Sequence, residues 1–346
     1  LPDAEKTRFA EIQARLSELS ARFSQNVLDA TDGFARYIDD VAELDGLPDD
    51  VLEMMRAAAE ADGKPGYKLK LHFPFYFPVM QYANHRTLRE SMYRDNVTRA
   101  SEFGPAELDN TLLISEILAL RAEEASLLGF ENYAQVSLAP KMADSPSQVI
   151  GFLRDMAARA KPFAERDRAE LEAFAREELD LDELHAWDLA WASEKLRVAR
   201  YDFSEQEVKA YFSEARVLDG LFGIIGKLFG VTIEPTPATL WHADARFWTV
   251  RRHGQPVAQF YTDLYAREGK RGGAWMADIR ARRQLADGSV QIPVALLTCN
   301  FTAPVGDKPA LFTHDEVITL FHEFGHGLHH MLTEVDELGV SGINGV

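Results

Sequence analysis

A mainly α-helical fold with one small β-sheet beside a late helix is predicted by three features of the chain. Apolar residues recur at steps of three and four through most of residues 1–230. Over residues 231–301 that spacing gives way to short alternating runs separated by turn residues. A final helix then opens at Thr313 with its own capping signal, Thr313-His314-Asp315-Glu316, of the S/T-x-x-E form. The expected division is therefore 1–230, predominantly helical, and 231–346, a small sheet plus that helix.

Phe9, Ile12, Leu16, Leu19, Phe23 and Val27 mark one stripe of a long first helix. A second follows Leu47-Pro48-Asp49-Asp50, with Asp49 as its expected cap and Val51, Leu52, Met54 and Met55 on the buried side. Residues 67–73 alternate, and Phe73-Pro74-Phe75-Tyr76-Phe77-Pro78 reads as extended because each Pro restricts the residue before it. Helices return over 79–178, with turn signals at Phe103-Gly104-Pro105 and Asp144-Ser145-Pro146. Ser145-Pro146-Ser147-Gln148 fits a cap with Pro at the first helical position. The charged run at 164–182 reads as a solvated helical face. A further helical block, 188–229, breaks near Asp202-Phe203-Ser204 and Ser213-Glu214. Candidate strands then fall at 245–250, 257–264 and 292–301, with turns at His253-Gly254 and Asp287-Gly288.

With 346 residues and 46% hydrophobic content the chain can bury a substantial core. A formal net charge of −18 excludes the basic face that nucleic acids and anionic membrane surfaces reward. No apolar run approaches the roughly 18 residues that a membrane-spanning helix needs. The single cysteine, Cys299, rules out an internal disulfide framework and suits a reducing compartment, so a cytoplasmic location is expected. Leu1-Pro2-Asp3-Ala4-Glu5-Lys6 has neither an initiator Met nor a signal-peptide layout, and reads as the middle of a longer chain.

The chemistry concentrates in His322-Glu323-Phe324-Gly325-His326. Residues four apart share a helical face, so His322 and His326 can reach one metal ion while Glu323 stands beside it. Catalytic zinc takes three protein ligands and keeps one position open. In that reading the ion activates a water molecule and Glu323 is the general base. Two surface histidines beside a helix-favouring Glu are the alternative. Gly325 and Gly327 each cost about 1 kcal/mol against Ala in a helix, so close approach of a backbone or a bound substrate is expected there, or simple helix packing.

A third ligand is harder to place. A metzincin needs Gly and His three and six places after the second histidine, where this chain has His329 and Leu332. His329 lies about 10 Å along the helix from His322, too far to share one ion comfortably. His329 and His330 are therefore read as substrate-facing or ligand-supporting groups, with solvated histidines as the alternative. Glu334, Asp336 and Glu337 follow His326 too closely to return on a separate element, and the glycine-rich stretch 339–345 looks like a loop leading elsewhere. The third metal ligand is expected beyond Val346. Cys299 is not read as a nucleophile, because an apolar strand keeps its thiol protonated.

The block 313–332 resembles the thimet oligopeptidase family of zinc peptidases. Support comes from Phe260-Tyr261-Thr262-Asp263-Leu264-Tyr265-Ala266-Arg267-Glu268 with the following Gly269-Lys270-Arg271-Gly272-Gly273-Ala274-Trp275-Met276. Leu297-Thr298-Cys299-Asn300-Phe301 and Leu128-Gly129-Phe130-Glu131-Asn132-Tyr133-Ala134 add to it, so the likeness covers essentially the whole chain. The resemblance implies an incomplete zincin-like architecture: an elongated, mostly helical enzyme whose deep channel admits short unfolded peptides, with 1–230 as channel wall. It implies one Zn2+ held by His322 and His326, Glu323 as base, and a third-ligand Glu past the end of this chain. The oxyanion-stabilising Tyr and His groups would also lie there, so the C-terminal remainder of the same enzyme is the partner that completes the site, and an extra N-terminal helical segment is implied as well.

By the same resemblance, 294–300 is the edge strand beside the active-site helix, placing Leu297 and Cys299 among the substrate-binding residues; an ordinary buried strand is the alternative. Residues 269–273 read as a hairpin or mobile turn near the cleft. The resulting expectation is a zinc-dependent endopeptidase for short peptides. Its competitors are a catalytically incomplete fragment acting as a helical peptide-binding scaffold, and an aminopeptidase or carboxypeptidase of the same HExxH class.

Overall fold

Start and stop signals fix most element boundaries in the computed structural model, which describes residues 1–306 and 308–345. The first half runs α1 (Asp3–Asp32), β1 (Arg36–Ile38), α2 (Asp49–Ala61), β2 (Tyr67–Leu69), α3 (Phe73–Tyr82), α4 (Arg86–Val97), α5 (Thr111–Leu127), α6 (Tyr133–Leu138) and α7 (Pro146–Glu178). The second runs α8 (Leu189–Tyr201), α9 (Glu205–Lys209), α10 (Glu214–Phe229), β3 (Thr232–Pro235), β4 (Arg246–Arg252), β5 (Gln255–Tyr265), β6 (Trp275–Arg280), β7 (Arg283–Gln284), β8 (Val290–Gln291), β9 (Val294–Phe301) and α11 (His314–Leu332). The fold is thus mainly α with a small mixed sheet, as the sequence predicts.

Two local expectations are corrected. The 73–78 run is not extended but opens α3, where Phe75 and Tyr76 both donate backbone N–H groups to His72 O at 2.9 Å. Pro74 falls in the first turn, where its missing N–H costs nothing, and the Phe73 and Phe77 rings, one turn apart, stack at 4.9 Å. Asp49 is the first residue of α2 rather than its cap; that position belongs to Pro48, and the Asp50 carboxylate takes the Val51 N–H at 3.0 Å.

The chain divides into two units that interleave along the sequence. The first comprises Leu1–Arg36, Asp40–Gly46 and Val79–Leu196. Here α1 lies along α5, with Ile12, Leu19 and Leu113 buried and Arg8–Glu123 and Arg15–Glu116 ion pairs flanking the contact. Asn26 donates to Asn110 Oδ1 at 2.9 Å within the same core. Deeper in the unit Arg89 and Asp188 form a fully buried pair at 2.8 Å, with Arg86 and the His185 N–H completing the carboxylate's partners. Breaking such a pair strands a buried charge, at a cost of about 3–5 kcal/mol.

The second unit comprises Tyr37–Asp39, Leu47–Pro78 and Arg197–Val346. Its five-stranded sheet has the order β3-β4-β5-β9-β6, with β5 and β9 parallel and the other pairings antiparallel. His253 and Gly254 both have positive φ, as the two-residue β4–β5 hairpin requires. Trp248, Val250, Ala258, Phe260, Ala295, Leu297, Cys299 and Phe301 form one core with Val217, Leu221 and Ile225 of α10 and Leu320, Phe324 and Met331 of α11. The strand period of two explains why these strand residues share a face. Both helices pack on that face, α11 against β9, β6 and β5.

Candidate active site

Thr313 caps α11 in a complete capping box: its hydroxyl accepts the Glu316 N–H at 3.1 Å and the Glu316 carboxylate accepts the Thr313 N–H at 2.8 Å. The helix ends at Leu332, where the sequence pattern loosens. Leu320, Phe324, Gly327 and Met331, at steps of four, three and four, make its buried face against β9. His322, Gly325, His326 and His329 occupy the exposed face.

On that face the two imidazoles converge. The Nε2 atoms of His322 and His326 stand 3.1 Å apart and the rings are nearly perpendicular, at 86°. Two nitrogens bound to one zinc at tetrahedral angles would stand about 3.3 Å apart, so the pair fits as two of its ligands. Among the described residues no set of three or more His, Cys, Asp or Glu side chains is gathered for a metal. Glu334 and Asp336 meet arginines instead, Arg252 at 3.1 Å and Arg282 at 2.7 Å.

Glu323 lies at the edge of the buried face, 8% exposed. The fully buried Cys299 feels it: burial first, then the Glu323 carboxylate, push the thiol up to about 12. Cys299 is accordingly protonated at neutral pH, in keeping with its exclusion as a nucleophile.

The strand reading needs correction. β9 is not an edge strand: it pairs with β5 on one side and β6 on the other, and Leu297 and Cys299 are fully buried on the face beneath α11. The edge belongs to β6. His330 is also inside, fully buried, with its Nε2–H donating to the Arg280 carbonyl of β6 at 3.0 Å. Its Nδ1 has no partner among the described residues, and Gly342 presses on the ring. A methyl at Gly342 would lie 2.9 Å from His330 Nδ1 and 3.0 Å from its Cα, and φ there is +60°, so only glycine fits. The 339–345 stretch therefore folds back on α11 rather than leading away. His329 stays on the exposed face with His322 and His326.

The glycines of α11 differ. A methyl at Gly327 would meet Leu297 Cδ2 at 3.7 Å, ordinary packing of helix on strand, whereas Gly325 faces open space.

A polar knot that the sequence reading did not find secures the β5–β6 connection. Asp263 receives Arg267 at 2.6 and 2.7 Å, Lys270 at 2.8 Å and the Trp241 indole at 2.9 Å. Burial pushes its carboxyl up, but these donors together hold it well below the usual carboxylate range. Lys270 also donates to the Asp263 and Tyr265 carbonyls, at 2.9 and 2.7 Å. Asn300 on β9 then grips the Arg271 and Gly273 carbonyls at 2.9 and 2.7 Å, just before β6 begins. The 269–273 turn is thus held at both ends. Asp263, Arg267 and Lys270 stand together in the sequence block 260–276, whereas Trp241 and Asn300 reach the turn from other parts of the chain.

A sheet-backed helix presenting two convergent imidazoles one turn apart, with a carboxylate beside them, is the arrangement of the HExxH metallopeptidases. The chain belongs to peptidase family M3, whose family model matches residues 79–345. It is 52% identical over 350 residues to oligopeptidase A of Escherichia coli K12, covering all of this chain and 52% of that protein. It is 42% identical over 362 residues to the organellar oligopeptidase A of Arabidopsis thaliana, and 32% identical over 351 residues to the dipeptidyl carboxypeptidase of E. coli K12, covering 45% and 50% of those proteins. The chain spans about half the length of the curated relatives it matches.

Proposed function

We propose that the protein is a zinc-dependent oligopeptidase that cleaves internal bonds of short unstructured peptides. The observation that carries this reading is the 3.1 Å convergence of the His322 and His326 Nε2 atoms on the open face of a rigidly packed helix, with Glu323 alongside. His322 and His326 would hold the ion, with a third ligand supplied from outside the described residues. When bound, zinc supplies a lowered water pKa and a polarised scissile carbonyl. Glu323 takes the proton of the attacking water and returns it to the leaving amine.

The free edge of β6 is where an extended peptide can add as a further strand through backbone hydrogen bonds. In this reading the polar knot and Asn300 set the height of that edge against the ligand pair, and His329 faces the bound peptide. A cytoplasmic setting suits the lone, buried cysteine.

The test is Glu323→Gln in the polypeptide that carries the remaining half. It should bind zinc like the wild type and lose most turnover on an end-blocked peptide; undiminished turnover removes Glu323 from the base role. Failure to cleave any end-blocked peptide while trimming free ends would favour the exopeptidase activity that the dipeptidyl carboxypeptidase relative is named for. One observation favours a second reading, an incomplete scaffold that binds peptides without cutting them: no third ligand joins the histidines among the described residues. Stoichiometric, tightly held zinc in the longer polypeptide rules that out.

A further inference from the structure

In the first unit, α7 is exposed at every position over residues 150–169. A solvated helix would be polar all round, yet this one is amphipathic. Leu153, Met156, Ala160 and Phe163 follow one another at steps of three, four and three, and Phe152 flanks them. Phe152, Leu153 and Phe163 are 63%, 57% and 60% exposed. The opposite side carries the Lys161–Glu165 pair and the flank beside Phe152 carries the Asp155–Arg159 pair, both spaced for helical ion pairing. The stripe is bounded by charge at its C-terminal end, where the Arg166 guanidinium lies over the Phe163 ring at 5.4 Å. α5 in the same unit repeats the sign, with Leu112 and Leu118 at 80% and 60% exposure on a helix whose apolar residues run around its circumference. A helix of that composition is ordinarily covered.

We propose that the apolar stripe of α7 is the seat of the polypeptide that the relatives possess and this chain does not span. Two observations select that occupant. The matched relatives are about twice the length of this chain, so as many residues again are available to cover it. A second copy of this chain is disfavoured, because each copy carries a formal charge of −18 and like charge opposes association. The missing half is thereby assigned a structural task in the helical unit that is separate from any ligand it brings to the histidines, and the inference stands whether or not the protein is a peptidase.

Hydroxyl-radical footprinting of the wild-type protein with its complete reading frame tests this without any variant. Oxidation of Phe152, Met156 and Phe163, read by mass spectrometry, is expected to be about tenfold or more slower than in the urea-unfolded chain, at every protein concentration. Oxidation as fast as in the unfolded chain would show a bare face and overturn the proposal. Protection that disappears on dilution would identify a second copy as the occupant, and overturns it equally.

Discussion

Replacing Gly325 and Gly327 separately with Ala distinguishes two reasons for a glycine in the middle of α11. In a helix interior Ala is favoured over Gly by about 0.5–1 kcal/mol. A methyl at 325 meets nothing within 4 Å, so that gain is undiminished by crowding. At 327 it meets Met331 Cε at 3.5 Å and Leu297 at 3.7 and 3.9 Å, ordinary contacts that add packing to propensity. Both variants should therefore be more stable than wild type by about 0.5–1 kcal/mol in urea unfolding followed by tryptophan fluorescence. Activity separates them. Position 325 shares the open face with His322 and His326, so under the proposed function its methyl takes up space on the peptide's approach, and kcat/KM should fall. Position 327 lies under the helix, and its kcat/KM should be unchanged. A stabilised Gly325→Ala enzyme with wild-type kcat/KM would refute the placement of substrate on this face, and a destabilised one would show that another part of the protein already covers it.

Two further outcomes concern the core beneath the site. The thiol of an unfolded chain ionises near pH 8.5, whereas folded Cys299 is pushed up to about 12, so its stabilising contribution is complete below the unfolded value and is lost as pH rises towards the folded one. The stability advantage of wild type over Cys299→Ala should shrink steadily from about pH 8.5 upward; a constant advantage across that range would contradict the buried, protonated thiol. Asp263→Ala leaves Lys270 buried without its carboxylate and should cost about 3–5 kcal/mol, measured by denaturant titration, and a cost under about 1 kcal/mol would mean the knot is solvated.

What the sequence disclosed was local. The capping box of α11, its end at Leu332, the His253-Gly254 hairpin and the pairing of His322 with His326 all follow from residues within a few positions of one another. What it concealed was set across distance. The place of β9 between β5 and β6 depends on the chain crossing over to lay β6 outside it, and nothing in the apolar run 294–301 distinguishes an interior strand from an edge one. β6 itself escaped notice because an edge strand, half solvated, lacks the apolar alternation that marks its neighbours. The rule that residues before Pro avoid helix failed at Phe77 because Pro78 sits inside α3, where the Phe73–Phe77 stack and the burial of Val79 and Met80 offset the lost hydrogen bond. His329 and His330 are adjacent in sequence yet differ in environment, since 100° of helical rotation separates the open face from the core.

That rotation gives His330 a consequence of its own. Its ring joins the helix bearing His322 and His326 to the Arg280 carbonyl at the end of β6, just past the irregularity between Asp278 and Arg280. His330→Ala strands that carbonyl, at about 1–3 kcal/mol, and frees the distal end of the edge strand, whereas His326 and His322, one and two turns back along α11, stay on a helix anchored through Phe324 and Leu320. The expected result is a raised KM for peptides with kcat and zinc stoichiometry largely kept, and partial rescue by His330→Gln, whose amide can donate to the same carbonyl. A variant that loses zinc together with activity would place His330 in support of the ligands; one with an unaltered KM would mean that peptides do not rely on β6 at all, because a strand that binds them through its backbone cannot lose its tether without losing register.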